Sequence, residues 1–179
     1  IKVDNNIIYG ENTDGKELVN DLERNLEQSL RNKEILIIGA GGATRGILKP
    51  ILDKKPEKIL LANRTKEKSL RLANEFSKYG EVCGFGIDQI KSKPVDIVIN
   101  ATSSSIDGTM LNLPKGLCEG ALCYDLMYGS ETPFMKWALK DSALIISDGL
   151  GMLVEQAALS FEFWLGKKPS TRHVINLIR

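Results

Sequence analysis

The chain has 179 residues, of which 42% are apolar and 26% are charged. These proportions are typical of one globular domain and exclude a disordered, collagen-like or coiled-coil chain. The 24 Lys and Arg residues balance 23 Asp and Glu residues, and this balance excludes a protein whose main task is to neutralise the phosphates of a nucleic acid.

The cysteines and the histidine exclude several classes of site. Cys83, Cys118 and Cys123 cannot all pair, and none has C-x-x-C spacing, so the sequence favours a reducing, cytoplasmic compartment and no metal site. The single histidine, His173, disfavours His-dependent hydrolysis and zinc chemistry. No apolar run approaches the ~20 residues of a membrane span, so we expect no membrane partner.

The amino-terminal segment predicts a hairpin followed by a helix. The β-rich runs 1–3 and 7–9 flank a polar turn, and the chain starts inside a strand without Met, as a piece of a longer protein would. Leucines at positions 18, 22, 26 and 30 predict a helix whose apolar stripe packs on another surface. Thr13 and Asp14 are both candidates for its N-cap.

From residue 34 onward, short apolar runs alternate with helical patterns. Two helical stripes are predicted between the first three runs: Ile47, Leu48, Ile51 and Leu52, then Leu70, Leu72, Ala73 and Phe76. The predicted strands cover residues 35–38, 59–61, 81–85, 95–99, 122–126 and 143–146. Several runs are continuously apolar, as in strands that are covered on both faces. The pattern predicts an α/β fold: a Rossmann-type, doubly wound, mostly parallel six-stranded sheet with helices on both faces.

The remaining segments predict a loop and two helices. Residues 102–120 are rich in Ser, Asp, Gly and Pro and predict a loop on the ligand side of the sheet. Residues 149–165 predict a long apolar helix, and a break at 167–170 precedes a short last helix.

A glycine-rich turn follows the first strand of the sheet. The run Gly39-Ala40-Gly41-Gly42-Ala43-Thr44-Arg45-Gly46 opens a helix, which is the context of a dinucleotide-binding turn. Glycine lets the backbone approach a pyrophosphate, and the helix offers its unpaired N–H groups to that anion. Thr44 stands at the place of the third glycine, so the match is imperfect, and a plain tight connection is the alternative.

The end of the second strand indicates which dinucleotide binds. NAD-binding sheets present an acidic residue ~20 residues past the glycine turn, for the ribose 2′-hydroxyl. Here the run is Asn63-Arg64-Thr65-Lys66-Glu67-Lys68, with no acid at the tip of the strand. Arg64 can form a forked contact with a 2′-phosphate, with added donors from Thr65 and Lys68. The residues therefore favour NADP over NAD; the alternative is a solvated, charged helix start.

Six separate motifs resemble the shikimate dehydrogenase family. They are Gly10-Glu11-Asn12-Thr13-Asp14-Gly15, the turn 39–46, Asn63-Arg64-Thr65, Asn100-Ala101-Thr102-Ser103, Tyr124-Asp125-Leu126-Met127-Tyr128 with Thr132-Pro133-Phe134, and residues 148–158. They occur in family order across almost all of the chain. The resemblance implies reversible hydride transfer between NADPH and 3-dehydroshikimate, which gives shikimate and NADP in aromatic amino-acid (chorismate) biosynthesis.

The resemblance also implies the roles of individual residues. Asp14 is similar to the catalytic, substrate-binding aspartate, Tyr128 and Gln156 to substrate contacts, and Gly149 and Met152 to contacts beside the nicotinamide. The other implied cofactor contacts are Gly39, Ala40, Gly41, Gly42, Ala43, Asn63, Arg64, Thr65, Lys68, Ala101, Thr102 and Ser103. Taken alone, Asp14 could equally be a helix cap, Gln156 a surface residue and Tyr128 a core aromatic residue.

The family carries, ahead of the matching part, a substrate domain that supplies a catalytic lysine and Ser and Thr donors. That domain is absent from this chain. We therefore expect 1–15 to be a remnant of the interdomain junction, 16–33 a linking helix, 34–148 the NADP-binding domain, and 149–179 helices that pack toward the missing domain. Lys136 is expected to be an ordinary surface residue of a helix, without a proton-transfer role.

Three consequences are expected. The chain should bind NADP, and its own turnover should be very low or absent. The apolar surfaces of the predicted helices around 18–30 and 152–164 should be exposed where the missing domain would pack, which favours pairing into a homodimer. A quinate dehydrogenase, a non-catalytic nucleotide-binding module and the use of NAD stay open as alternatives.

Overall fold

The computed structural model describes residues 1–10, 12–102 and 112–178. The chain begins with an antiparallel hairpin of β1 (Lys2–Asp4) and β2 (Ile7–Tyr9). Its turn places Asn5 at φ 48° and Asn6 at φ 62°, in the left-handed region that asparagine tolerates better than most residues. The predicted hairpin is confirmed.

Six parallel strands form the central sheet: β3 (Glu34–Ile38), β4 (Lys58–Asn63), β5 (Val82–Gly86), β6 (Ile97–Asn100), β7 (Leu122–Asp125) and β8 (Ile145–Ser147). Their order across the sheet is β5-β4-β3-β6-β7-β8. The strand order reverses between β3 and β6, which is the topology of a doubly wound fold. The predicted fold class is confirmed, although β6 and β8 each begin two residues later than predicted.

Six helices accompany these strands in the described residues. They are α1 (Asp14–Asn20), α2 (Gly42–Asp53), α3 (Lys66–Phe76), α4 (Pro133–Lys140), α5 (Leu150–Leu165) and α6 (Arg172–Ile178). Alternate residues of β3 enter two different cores. Ile35 and Ile37 pack with α1, α2 and α3, whereas Leu36 and Ile38 pack in the core that includes α4. Helices therefore cover both faces of the sheet, as predicted.

The helix that precedes the sheet is shorter than predicted. It begins at Asp14 and continues through a π-helical turn, Asp21–Asn25, but it does not reach residue 33. Glu27 then turns the chain with φ 55°. Leu30 still reaches the core, but from the segment that follows the helix.

The predicted stripe of leucines faces the interior. Leu18, Leu22 and Leu30 are fully buried, so the expectation that this stripe would be exposed is wrong. The reason is close packing of α1 on α2, since a Cβ on Gly15 would lie 2.4 Å from the carbonyl oxygen of Gly46. These leucines therefore belong to the core of the described fold.

The two helical stripes after β3 and β4 are largely confirmed. Ile47, Leu48, Ile51 and Leu52 are buried, as are Leu72, Ala73 and Phe76. Leu70 is the exception, because 44% of it is exposed. It lies two residues before Leu72 and therefore on a different side of α3.

The carboxyl-terminal helices follow the prediction. α5 ends at Gly166, whose φ of 70° is the left-handed conformation that favours glycine at a helix C-terminus. Its last turns expose apolar side chains, as predicted, with Phe161 43% and Trp164 56% exposed. That these side chains face a further domain stays a prediction. Among the helices of the described residues, none has the length and apolar character needed to cross a membrane.

Candidate functional site

The candidate site lies where the parallel strands end, beside the reversal of strand order. The glycine-rich turn leaves β3, the Asn63-Arg64-Thr65 run leaves β4, and Ala101 and Thr102 follow β6. Because β3 pairs with both β4 and β6, these three connections are neighbours at one edge of the sheet. Ligands of doubly wound sheets bind at this place.

The first glycine of the turn is required by the fold. Gly39 has φ 112°, and its N–H donates to the carbonyl oxygen of Ala62 at 2.8 Å. A Cβ at this position would lie 2.9 Å from the carbonyl oxygen of Ala101. Only glycine combines this φ with such a close approach to the loop after β6.

The packing of the described residues does not require glycine at the next two positions, Gly41 and Gly42. Apart from the chain neighbours and the backbone of the same helix, no atom of the described residues lies within 4 Å of the place that a Cβ on Gly41 or Gly42 would take. Gly42 is the first residue of α2, so the open space lies at the N-terminus of that helix. Unpaired N–H groups and open space together form a cradle that fits a pyrophosphate.

Two side chains hold the turn in place. Thr44, at the third-glycine position, is buried, and its hydroxyl donates to the carbonyl oxygen of Gly39 at 3.0 Å. The Oδ1 of Asn63 accepts from the N–H of Ala40 at 3.2 Å, and its Nδ2 donates to the carbonyl oxygen of Thr65 at 2.8 Å. Asn63 therefore ties the tip of β4 to the glycine turn, which gives it a positioning role.

A cleft of about 310 Å³ lies between the start of α2 and the side of α3. Its lining residues are Ala40, Gly41, Gly42, Arg45, Lys68, Arg71, Leu72 and Glu75. Arg45 forms a bidentate ion pair with Glu75. Lys68 and Arg71 have no ion-pair partner among the described residues. Two cations are therefore available to an anionic ligand.

Sequence reasoning found Lys68 but missed Arg71. The two residues are three positions apart on α3 and therefore lie on the same face of the helix. That spacing was the available signal. Arg64 is exposed directly after β4 and has no ion-pair partner in the described part of the chain, but it is not part of the lining of this cleft.

A buried chain of hydrogen bonds fixes the ends of β6 and β7. The hydroxyl of Thr102 donates to Oδ1 of Asn100 at 2.8 Å, and Nδ2 of Asn100 donates to Oδ1 of Asp125 at 3.1 Å. The hydroxyl of Thr132 donates to the other oxygen of Asp125 at 2.6 Å. The polar residues of these motifs therefore shape the loops of the site. Ser103, another predicted cofactor contact, lies outside the described residues.

The structure brings two predicted substrate contacts together. Asp14 is the first residue of α1, and Gln156 lies on α5, where its Nε2 donates a short hydrogen bond to Oδ1 of Asp14. Both side chains are half-buried, so Gln156 is more than a surface polar residue. Thr13 occupies the N-cap position, but its side chain makes no capping hydrogen bond. The N–H of Asp14 instead donates to Oδ1 of Asn12 at 3.0 Å.

Tyr128 and the residues beside the predicted nicotinamide position lie on neighbouring loops. Tyr128 follows β7 and is 49% exposed, so the alternative role as a core aromatic residue is wrong. A Cβ on Gly149 would lie 2.4 Å from the carbonyl oxygen of Leu126, so glycine is needed there for close approach of two loops. Met152 is half-buried and packs against the core that contains α1.

A buried acidic network lies behind this site and was missed by sequence reasoning. The hydroxyl of Tyr124 donates to Oδ2 of Asp21 at 2.7 Å, and Nδ2 of Asn25 donates to Oδ1 of Asp21 at 2.8 Å. Glu155 accepts from Thr171 at 2.7 Å. Burial and the Asp21 carboxylate raise the pKa of Tyr124 well above its usual range, so the phenol stays a donor. The Nδ2 of Asn25 also donates to Oε1 of Glu155 at 3.3 Å, so the network joins the π-helical turn, β7, α5 and the segment before α6.

Gly151→Ala is expected to destabilise the fold through this network. A Cβ on Gly151 would lie 2.0 Å from Oδ1 of the fully buried Asp21. Displacing that carboxylate breaks buried hydrogen bonds, so we expect the free energy of unfolding to fall by about 3 kcal/mol. Urea unfolding measures the loss. Gly10→Ala is the matched control, since no atom of the described residues other than its chain neighbours lies within 4 Å of its Cβ position. Equal stability of the two variants would contradict this account.

Glu17 makes stability depend on pH. It is 1% exposed, and burial raises the pKa of its carboxyl above the ordinary 4.5. Because the folded protein holds this proton more tightly than the unfolded chain does, the contribution of Glu17 to stability falls as pH rises from 4.5 through the raised pKa. Glu17→Gln should therefore be more stable than the wild type at neutral pH, and the difference should disappear in acid. Urea unfolding at neutral pH and in acid tests this, with the exposed Glu67→Gln as control. A difference that is independent of pH would count against it.

Comparisons with known proteins identify two matching family models. One, described as shikimate / quinate 5-dehydrogenase, matches residues 21–107, and another, described as shikimate 5'-dehydrogenase C-terminal domain, matches residues 149–179. The shikimate dehydrogenase (NADP(+)) of Vesicomyosocius okutanii subsp. Calyptogena okutanii is 55% identical over 179 residues, which are 100% of this chain and 67% of that protein. That of Ruthia magnifica subsp. Calyptogena magnifica is 54% identical, with the same coverage.

Solved structures give the same result. An Ael1 enzyme from Pseudomonas putida aligns with a TM-score of 0.89 at 40% identity over 98% of this chain and 65% of that chain. A shikimate dehydrogenase in complex with NADP+ aligns with a TM-score of 0.82 at 33% identity over 99% of this chain and 64% of that chain. The present chain thus spans about two thirds of the length of these relatives.

Proposed function

The chain belongs to the shikimate dehydrogenase family, and from this premise we propose that it is the NADP-binding part of an enzyme that reversibly reduces 3-dehydroshikimate to shikimate with NADPH. The observation that carries the proposal is the open cradle at Gly41 and Gly42, beside the unpaired cations Lys68 and Arg71. The tip of β4, at Asn63-Arg64-Thr65, carries no acidic residue, and this favours a ribose that bears a 2′-phosphate.

The residues of the chain fit the dinucleotide in three places. The N–H groups at the start of α2 would bind the pyrophosphate, and Arg64 with Thr65 and Lys68 would bind the 2′-phosphate. The loops that carry Ala101, Thr102, Gly149 and Met152 would enclose the nicotinamide end. When bound, NADPH supplies the hydride. The protein then has to hold the substrate carbonyl beside the nicotinamide and provide for the transfer of one proton.

Asp14 and Gln156 are the residues proposed to bind the substrate. The carboxylate of Asp14 can accept a hydrogen bond from the reacting hydroxyl, and Gln156 fixes the orientation of that carboxylate through its short hydrogen bond. Tyr128, exposed on the loop after β7, would supply a further contact. A non-catalytic module would need no such pair, and this favours an enzyme.

The remaining substrate donors are proposed to lie in the part of the relatives that this chain does not match. Exposed apolar residues of β2 and α5 offer a surface for that part, with Ile8 73% and Trp164 56% exposed. The indole Nε1 of Trp164 donates to the carbonyl oxygen of Ile1 at 3.1 Å and so joins α5 to the residue before β1, the strand that pairs with β2. The same surface would pair two copies of the isolated chain into a homodimer.

The biosynthetic pathway, the cellular compartment and the alternative substrate belong to the same proposal. We place the enzyme in aromatic amino-acid biosynthesis in the cytoplasm, which is consistent with its three free cysteines. Lys136 lies on α4 and is paired with Glu131 at 3.5 Å, as expected of a surface residue. Quinate stays the alternative substrate, because the matching family model includes quinate dehydrogenases.

Gly41→Ala tests the cradle. Its extended backbone, φ −97° and ψ −164°, accepts alanine without strain, so the fold should keep its stability. The added methyl group would enter the space proposed for the pyrophosphate, so both NADP and NAD should bind about tenfold more weakly. Isothermal titration calorimetry measures the affinities, with Gly10→Ala as control. Unchanged affinity for NADP would overturn the proposed cradle.

The chain and the longer protein are expected to differ in activity. The 179-residue chain is expected to show very low or no reduction of 3-dehydroshikimate, because most substrate donors are proposed to lie in the part of its relatives that it does not match. The longer protein that includes the remaining third of its relatives' length should be active. Full activity of the chain alone would contradict the proposal that the remaining part of the protein supplies most substrate donors.

A further inference from the structure

A second cavity lies on the other face of the sheet, away from the glycine turn. It has a volume of about 400 Å³, and two of its lining residues, Glu34 and Lys58, are the first residues of β3 and β4. The glycine turn follows the last residue of β3, so the two sites lie at opposite ends of this strand. The cavity is therefore separate from the proposed nucleotide cleft.

The connection between β5 and β6 explains why this cavity exists. Only a short 3₁₀ turn, Ile87–Gln89, and an irregular segment link these strands, whereas α2 and α3 cover the other face at the same strands. Leu60 and Phe85 are consequently half-buried rather than covered by a helix. The cavity is thus a gap in the packing of this face.

The walls of the cavity are apolar and well supported. Leu36 and Leu117 are 1% exposed and Val95 is 7% exposed, and all three belong to the second core. The N–H of Val95 donates to the carbonyl oxygen of Leu117 at 3.1 Å, which ties the covering segment to the neighbouring loop. The volume lies within the range of small-molecule pockets.

The mouth of the cavity is positively charged. Lys58, Lys91 and Lys93 line it with one acid, Glu34, which lies 3.6 Å from Nζ of Lys58 and 3.5 Å from Nζ of Lys93. Lys91 has no ion-pair partner among the residues that the structure describes. The nearby carboxylate of Asp96 is already held by Lys33 and by the N–H of Glu34. The rim therefore carries an excess of positive charge.

We propose that this cavity binds a small amphipathic anion, with its apolar body against Leu36, Leu60 and Phe85 and its carboxylate or sulfonate between Lys91 and Lys93. The apolar walls disfavour a fully polar ligand, because burial without hydrogen bonds is costly. The lysines favour an anion over a neutral molecule of the same shape. Apolar walls beneath a cationic rim thus define the ligand class.

Two fluorescent probes of nearly the same shape test the proposal. 1-Anilinonaphthalene-8-sulfonate carries a sulfonate, whereas N-phenyl-1-naphthylamine is neutral. The protein should bind the sulfonate about tenfold more tightly than the neutral probe. The double variant Lys91→Glu with Lys93→Glu should abolish this preference, since both side chains are exposed and can be changed without altering the core. Lys140→Glu with Lys167→Glu is the matched control.

A second variant locates the probe. Ile90→Trp places a larger side chain in the cavity lining and should lower the affinity for both probes, with folding checked by circular dichroism. Saturating NADP should leave probe binding unchanged, because the nucleotide cleft is a different site. Equal affinity for the two probes, an unchanged preference in the Lys91 and Lys93 variant, or displacement by NADP would each overturn the proposal.

Discussion

Replacing Arg64 by alanine is expected to weaken NADP binding about a hundredfold and to leave NAD binding unchanged. The guanidinium lies exposed at the tip of β4, without an ion-pair partner among the described residues, and is free to form two charge-assisted hydrogen bonds with a 2′-phosphate. NAD lacks that phosphate. Removing Arg64 therefore changes the affinity for one nucleotide and not for the other, which isothermal titration calorimetry can measure.

Two further variants make the Arg64 experiment specific. Arg64→Lys keeps the charge but loses the fork, so its affinity for NADP should lie between those of the wild type and Arg64→Ala. Arg31→Ala removes an exposed arginine remote from the strand tip and should change neither affinity. If Arg64→Ala weakened NAD as much as NADP, Arg64 would support the turn rather than bind the phosphate.

Replacing Asp14 by asparagine in the longer, active protein is expected to lower kcat about a thousandfold, because the reacting hydroxyl loses its carboxylate partner. Asparagine keeps an oxygen that can accept the hydrogen bond from Gln156, so the geometry between α1 and α5 should persist. The KM for NADPH should stay the same, since Asp14 lies on the substrate side. Steady-state kinetics with 3-dehydroshikimate and NADPH tests both expectations.

The alternative role of Asp14 is that of a charged residue at a helix N-terminus. That role affects only stability, by about 1 kcal/mol or less. Asp53→Asn removes an exposed carboxylate at the end of α2 and is the matched control for loss of charge. A normal kcat in Asp14→Asn, accompanied by a small loss of stability, would reduce Asp14 to this capping role.

Much of the fold could be predicted because it follows from local patterns. Continuous apolar runs and their spacing predicted all six strands of the sheet, and the glycine turn predicted the start of α2. The end of the helix before the sheet could not be predicted in this way. Its leucine spacing continues through Leu30, but the backbone turns at Glu27, and Leu30 is buried from outside the helix.

The candidate site was only partly predictable, because several of its contacts join distant parts of the chain. Asp14 and Gln156 were identified through the family resemblance, and their mutual hydrogen bond depends on how α1 packs on α5. The bond between Asp21 and Tyr124 spans 103 positions, and no local pattern indicates such a pair. Arg71 could have been found from its helical spacing to Lys68.

The central claim is that this chain selects the phosphorylated nucleotide. Calorimetric titration of the wild-type chain with NADP and with NAD under the same conditions tests it most directly. We predict clear binding of NADP and an affinity for NAD that is weaker by at least about tenfold. Equal affinities, or binding of NAD without binding of NADP, would contradict the account.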